Sequence, residues 1–243
     1  MTGASFVLRG LWFFRKSYLG VLAGSALGAM ILLGALMAGD SVKETLRHVA
    51  EVRLGKVDVV LTGGDRFFRS ALADDMADVE AAPILFLKAT ATVQASGRSM
   101  GRVQVLGVDQ RFWKLGPGDS GISTPQGREF LVNDYLARTL DFGVDGTLVL
   151  RFEKPALIAR DAPLAGKTSE LVVLSGRVGE ICGDEQFGRF SLETTQLPQA
   201  TVFVPIERLQ QAIGFVDKAN LMLMRNRKNL GNDELLSLVR RRC

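Results

Sequence analysis

The stretch SYLGVLAGSALGAMILLGALMAG occupies residues 17–39 and decides the fold. Its 23 residues carry no charge, and an α-helix of that length spans about 34 Å, enough for a hydrocarbon layer of about 30 Å. Arg9, Arg15 and Lys16 precede it without an acid. Because basic residues mark the cytoplasmic side of a membrane helix, we predict a transmembrane helix over 17–39, with residues 1–16 in the cytoplasm and the remaining chain outside.

A cleaved secretory signal is the competing interpretation of this segment. Signal sequences also begin with basic residues, but their apolar region is about 7–15 residues long and ends in small residues with an A-x-A-like pattern. Here the apolar run is longer and ends ALMAGD at residues 35–40, which matches that pattern poorly. The comparison favours a retained membrane anchor.

Three glycines recur at four-residue spacing within the predicted membrane helix. Gly20, Gly24 and Gly28 therefore share one helix face, and small residues allow two membrane helices to approach closely. Glycine and alanine are also common in membrane helices in general. We interpret the repeated G-x-x-x-G spacing as a helix-packing face.

Residues 40–56 continue the helical pattern with a different polarity. Ser41 and Glu44 have the spacing of a capping box, and Val42, Leu46 and Val49 share one face of a helix. We predict an amphipathic stalk over 40–56. Its His48, the only histidine of the chain, is interpreted as a partly exposed helix residue.

Residues 57–225 mix strand and helix patterns. Strands are expected at 57–61, 84–95, 102–108, 147–152, 170–182, 201–204 and 220–225, and helices at 67–79, 133–142 and 205–214. Residues 109–128 are rich in glycine and are expected to form a long surface excursion. The predicted fold is therefore α+β, with one N-terminal transmembrane helix followed by a two-lobed mixed α/β extracytoplasmic domain.

The distribution of charge argues against nucleic-acid binding. The 243-residue chain has a net charge of +4, of which residues 1–17 carry +3 and residues 225–243 carry +4. The body of the chain is therefore slightly acidic, whereas a nucleic-acid-binding domain carries a basic face. One histidine and two cysteines also make a zinc site or a disulfide framework a poor fit.

No motif of the sequence indicates a reactive site. The string Gly166-Lys167-Thr168 resembles the end of a phosphate-binding loop, but Asp161 replaces the required glycine and a strand pattern follows. Cys182 has no neighbouring histidine and is interpreted as structural. The pairs Asp74-Asp75 and Asp184-Glu185 are interpreted as solvated surface acids. We predict no catalytic residue, no cofactor and no metal site, and hence no enzyme.

Several ordered motifs resemble a known family. The opening Leu8–Lys16 and the glycine-rich helix resemble FtsX-like permeases of ABC transporters, and the later motifs resemble the MacB-type periplasmic core domain. The exit from the helix at Ala38–Lys43, followed by Arg53–Asp58, also resembles these permeases. The later motifs are Val105–Asp109 ahead of Phe112-Trp113, Leu131–Asn133, and Val202–Ile206. The resemblance covers about residues 5–225.

This resemblance implies a permease component of an ABC transporter. Such permeases have one membrane helix, a large extracytoplasmic domain and three further membrane helices, and they pair as two copies. The implied partners are a separate ABC ATPase subunit, a second copy or a related permease, and membrane lipid. The implied location is the bacterial inner membrane, with the main domain in the periplasm or outside the cell. Export or lipoprotein-type transport is the implied task.

The chain departs from the family after Met224. Residues 226–243 form a short basic tail, and the three remaining membrane helices do not follow. We expect a truncated or split product, or a single-span form that works with a partner. The alternative function is a single-span interaction or sensor domain without ATP coupling. A membrane-anchored hydrolase is a third possibility that rests only on scattered acids.

Overall fold

The computed structural model describes residues 12–64, 66–76, 79–117, 121–155, 170–193 and 198–226. The Gly166-Lys167-Thr168 string, Arg9 and the basic tail from residue 227 lie outside the described residues. The chain divides into two compact units, Met1–Val49 and Ala50–Cys243. The boundary between these two units lies within the predicted stalk. It coincides with neither predicted domain limit, so the limits at residues 39 and 56 stay predictions.

One continuous helix, α1, runs from Arg15 to Leu54. It contains both the predicted membrane span and most of the predicted stalk. No new helix begins at Ser41, so the capping-box interpretation of Ser41 and Glu44 is wrong. The Thr45 hydroxyl donates to the Ser41 carbonyl oxygen at 2.9 Å, as expected inside a helix. The helix thus continues from the apolar run into the stalk without an interruption.

The second unit is a mixed α/β domain. Its strands are β1 (Val59–Thr62), β2 (Phe68–Arg69), β3 (Glu80–Val93), β4 (Ser99–Val108), β5 (Glu129–Asn133), β6 (Thr147–Glu153), β7 (Leu171–Cys182), β8 (Thr201–Pro205), β9 (Lys218–Ala219) and β10 (Leu221–Arg225). Its helices are α2 (Gln110–Lys114), α3 (Asp134–Leu140) and α4 (Ile206–Ile213). Short 3₁₀ turns occupy Ser70–Ala73 and Asp184–Gln186. The predicted class, one N-terminal helix followed by a mixed α/β domain, is confirmed.

Six strands pair in a closed ring in the order β3, β4, β8, β5, β7, β6 and back to β3. The pairs β4–β8 and β5–β7 are parallel, and the others are antiparallel. The 14-residue β3 also reaches beyond the ring, where residues 80–84 pair with β10 and β10 pairs with β1. The ring and this three-stranded extension share β3 and lie within one compact unit, so the division of the domain into two lobes stays a prediction.

The interior of the ring follows the two-residue period of its strands. In β3, odd-numbered residues from Leu85 to Val93 are buried in the largest hydrophobic cluster, whereas Lys88 and Thr90 are exposed. Helices α3 and α4 contribute Leu136 and Leu209 to the same cluster. The strands and helices predicted at 84–95, 102–108, 133–142 and 205–214 therefore supply residues of this cluster.

Residues 109–128 are not simply a surface excursion. Helix α2 forms here because the Asp109 carboxylate accepts from the backbone N–H of Arg111 at 2.8 Å and so caps the helix. Its Phe112 and Trp113 are buried against Phe203. Burial of two large aromatic rings stabilises this short helix despite the glycine-rich sequence around it.

The amphipathic helix predicted over 67–79 is wrong. Phe68 instead pairs with Ala219 in a two-stranded sheet, and Ser70–Ala73 form a single 3₁₀ turn. The apolar residues of this segment pack against different partners. The ring centroids of Phe67 and Phe215 are 4.9 Å apart, whereas Leu72 belongs to another hydrophobic cluster. These tertiary contacts override the helical spacing of the sequence.

Candidate functional site: the helix face and the end of the helix

The three glycines predicted to pack a helix all lie on α1. A methyl group added at Gly20, Gly24 or Gly28 would meet no described atom of the chain within 4 Å. The helix around them is exposed along its length. Their small size therefore serves no contact within the described chain, and the helix-packing role stays a prediction.

The continuity of α1 relates this glycine face to the apolar face of the stalk. Gly24 and Val42 are separated by 18 residues, and so are Gly28 and Leu46. Eighteen residues are five helical turns at 3.6 residues per turn, so each pair lies in line along the helix. Val42 and Leu46 are 60% and 64% exposed. A single face of α1 thus carries small residues in its apolar half and exposed aliphatic residues beyond it.

The last turn of α1 is fixed to the core domain by close contacts. Arg53 donates through Nη2 to the Glu193 carbonyl oxygen at 2.8 Å. Gly55 then ends the helix with a left-handed φ of 58°, as is common just beyond a helix C-terminus. The next residue, Lys56, donates its backbone N–H to the Leu115 carbonyl oxygen at 2.7 Å.

Gly55 is the tightest point of this turn. A methyl group added there would lie 2.4 Å from the Leu115 carbonyl oxygen, far closer than a carbon and an oxygen can approach. Both the space and the positive φ therefore require glycine. After it, Val57 enters the hydrophobic cluster that also contains Leu115. The sequence signal was available, since a glycine after a long helical pattern predicts a helix end.

An ion pair supports the segment that Arg53 contacts. Lys88 Nζ lies 2.7 Å from the Glu193 carboxylate. The hydrogen bond from Lys88 and its positive charge lower the pKa of Glu193. Both side chains are about half exposed, so this pair contributes no more than about 1 kcal/mol. The pair thus involves the side chain of the residue whose backbone carbonyl oxygen accepts from Arg53.

The family-like motifs of the core domain occupy equivalent structural positions. Val105–Asp109 end β4 and lead into α2, Leu131–Asn133 end β5 and lead into α3, and Val202–Ile206 end β8 and lead into α4. Their strands are neighbours in the ring, in the order β4, β8, β5. Each motif is thus a strand-to-helix junction in the centre of one sheet.

Asn133 shows why one of these junctions depends on sequence. Its side-chain oxygen accepts from the backbone N–H groups of Leu136 and Thr201, both at 3.1 Å. Its side-chain nitrogen donates to the Gln199 carbonyl oxygen at 2.7 Å. The buried asparagine therefore caps α3 and ties β5 to β8, and both polar atoms of its side chain are hydrogen-bonded. This role is structural and involves no chemistry.

The remaining sequence candidates do not converge on a reactive site. Cys182 is fully buried, and burial, with a smaller effect from Glu180, raises the pKa of its thiol to about 12. Since the thiolate is the reactive form, Cys182 is inert at neutral pH. His48 lies exposed on α1.

The neighbouring acids form ordinary surface ion pairs. These pairs join Asp74 to Arg111, Asp75 to Arg69 and Asp184 to Arg189. Within the described part of the chain, no three histidine, cysteine or acidic residues group as metal ligands.

No family model and no curated protein matches the sequence. Among solved structures, the chain is similar to the periplasmic region of MacB from Actinobacillus actinomycetemcomitans, with 8% identity, a TM-score of 0.47, and coverage of 78% of this chain and 83% of that one. It is also similar to a domain of a protein named as a permease from Porphyromonas gingivalis, with 14% identity, a TM-score of 0.44, and coverage of 75% and 78%. A third similar structure is the extracellular domain of the noncanonic ABC-type transporter YknZ from Gram-positive bacteria, with 12% identity, a TM-score of 0.34, and coverage of 71% and 78%.

Proposed function

We propose that this chain is a permease component of an ABC transporter, made of a membrane anchor and an extracytoplasmic core domain. Helix α1 is long and apolar enough to cross a membrane. In the proposal it crosses the bacterial inner membrane once, with the basic N-terminus in the cytoplasm and the core domain in the periplasm or outside the cell. Membrane lipid then surrounds the apolar part of α1.

The position of the family-like motifs is the observation that carries this proposal. The three motifs of the core domain lie at three strand-to-helix junctions on neighbouring strands. A chance likeness would scatter such motifs over unrelated elements. Their concentration supports the family resemblance from which the transporter function follows.

The proposal assigns the exposed face of α1 to helix packing. Gly20, Gly24 and Gly28 would face another membrane helix, supplied by a second copy of the chain or by a related permease. A separate ABC ATPase on the cytoplasmic side would supply the energy, because the described chain offers no catalytic site. Export or lipoprotein-type transport is the proposed task, with motion passing along α1 to its last turn at Arg53 and Gly55.

A purification from native membranes tests the assignment. We expect the full chain, extracted in a mild detergent, to retain an ABC ATPase and a permease partner with measurable ATP hydrolysis. Gly24→Leu should weaken the association by about tenfold or more, equivalent to about 1.4 kcal/mol, because the larger side chain separates the helices. Ala29→Leu is the matched control, since it lies 140° around the helix from Gly24 at 100° per residue.

The outcomes separate the two candidate functions. A chain that purifies as a monomer without ATPase activity contradicts the transporter proposal and favours the single-span sensor or interaction domain. Equal loss of association in Gly24→Leu and Ala29→Leu contradicts the assigned face while leaving the transporter assignment to the ATPase measurement.

A further inference from the structure

Arg208 is a half-buried cation without a carboxylate partner in the described residues. Its guanidinium donates from Nη1 to the Gly127 carbonyl oxygen at 3.3 Å and from Nη2 to the Ser175 carbonyl oxygen. It also lies over the Phe130 ring, 5.2 Å from the centroid. Neutral carbonyls and a ring hold the group in place but leave its charge unbalanced.

A second arginine adjoins this group. Arg128 directly follows the carbonyl that accepts from Arg208, and its side chain is exposed without an ion pair to any described residue. Burial and, secondarily, the charge of Arg128 lower the pKa of Arg208. Two like charges close together, one of them half-buried, repel each other unless an anion lies between them.

The neighbouring charged residues are directed elsewhere. Arg177 already pairs with Asp145. The Glu129 carboxyl lies along β7, 3.6 Å from the position of a methyl group at Gly179. Glu207 is exposed and forms no ion pair within the described chain. The Arg208 guanidinium therefore lies against the backbone that leads into Arg128, where a ligand, and no described side chain, can supply negative charge.

We propose that Arg128 and Arg208 together bind a phosphate group at the start of α4. Guanidiniums match the tetrahedral oxygens of phosphate with paired, charge-assisted hydrogen bonds. Arg208 is pre-positioned by its bonds to Gly127 and Ser175, and the exposed Arg128 closes on the ligand. The phosphate could belong to a free anion or to a lipid headgroup, since both present the same oxygens.

Titration calorimetry of the full chain in a phosphate-free maltoside detergent tests this site. With inorganic phosphate as the probe at constant ionic strength, we expect saturable heat. Arg128→Gln should raise the Kd by about tenfold or more, as the loss of one charge-assisted contact predicts. Arg66→Gln is the matched control because it removes the same charge from another exposed arginine without an ion pair in the described chain. Its Kd should stay at the wild-type value.

A second variant and a second probe complete the design. Arg208→Lys keeps the charge but loses the two guanidinium nitrogens that donate to the Gly127 and Ser175 carbonyl oxygens. It should therefore also raise the Kd, while its circular dichroism spectrum stays unchanged. Glycerophosphoglycerol represents the lipid source, and the tighter of the two probes identifies which source the site prefers. The proposal is overturned if neither probe binds saturably, or if Arg128→Gln binds as tightly as Arg66→Gln. Neither result depends on an ATPase partner, so the test is separate from that of the proposed function.

Discussion

Gly55→Ala is the substitution that best tests how the last turn of α1 is fixed to the core domain. The new methyl group would lie 2.4 Å from the Leu115 carbonyl oxygen, and residue 55 has a φ of 58°. A left-handed conformation costs alanine roughly 1–2 kcal/mol. Moving the carbonyl away also weakens its 2.7 Å bond from Lys56 N–H, worth about 1 kcal/mol. We expect the free energy of unfolding to fall by about 2–3 kcal/mol.

Gly97→Ala is the control that separates these two contributions. Gly97 has a similar φ of 69°, but a methyl group there meets nothing described within 4 Å. It should therefore show the conformational cost alone, roughly 1–2 kcal/mol. The difference between the two variants measures the contact with Leu115.

Urea unfolding of the full chain in detergent provides the assay. Trp113 is buried in the core domain and reports its unfolding by fluorescence, and a Trp12→Phe background removes the other tryptophan. The midpoint should move while the slope with urea stays constant, as expected for a change in stability alone. If Gly55→Ala and Gly97→Ala destabilise the protein equally, the Leu115 contact does not constrain the turn and the reasoning is refuted.

Two further predictions concern the ring. Gly176→Ala should destabilise the domain by about 1–3 kcal/mol, because its methyl group would lie 2.6 Å from two atoms of the buried Phe130 ring. Gly179→Ala is the control on the same strand: its methyl group would have contacts of 3.6 Å or more, so this variant should be nearly neutral. Equal urea midpoints for the two variants would contradict the close packing. Cys182 in a Cys243→Ser background should resist iodoacetamide at pH 8 until the chain is unfolded. Because burial raises the pKa of this thiol from 9.0 to about 12, its contribution to stability is complete below pH 9 and is lost as the pH rises above that, by about 1.4 kcal/mol at pH 10. Urea titrations at pH 8 and pH 10 should show a smaller loss in Cys182→Ala than in the parent, and an identical loss would contradict the burial argument.

Local patterns predicted most of the elements of the core domain. The hairpin of β3 and β4 and helices α3 and α4 follow from alternating apolar residues, from turn residues and from helical spacing. Asn133 precedes a helical pattern, and asparagine is a favoured residue at a helix N-terminus, so the sequence also indicates its capping role. These features depend on residues close in sequence, so one sequence contains the information.

The features that sequence reasoning missed depend on distant partners. Pairing of β3 with β6 closes the ring, and no local signal near residues 90–93 indicates that partner. Phe67 and Leu72 belong to a segment whose apolar residues suit a helix, but they contact different parts of the domain. For α2, a local signal did exist, since Asp109 is a good helix cap before two aromatic residues. Its glycine-rich surroundings concealed it.

The exposed face of α1 constrains which partner the proposed function requires. Glycine within a helix is about 0.5–1 kcal/mol less favourable than alanine, and no described contact within the chain offsets this at Gly20, Gly24 or Gly28. Lipid could cover these positions, but it would not reward their small size. Five turns further along the same line, Val42 and Leu46 are exposed where the helix has become amphipathic. A partner that covers both parts must therefore be apolar along a straight line of about 27–39 Å, the rise of 18–26 residues. A second long helix meets that requirement, whereas a lipid contact meets only its first half. Leu46→Lys should consequently weaken the proposed assembly about as much as Gly24→Leu, and an assembly that tolerates Leu46→Lys would confine the packing face to the membrane.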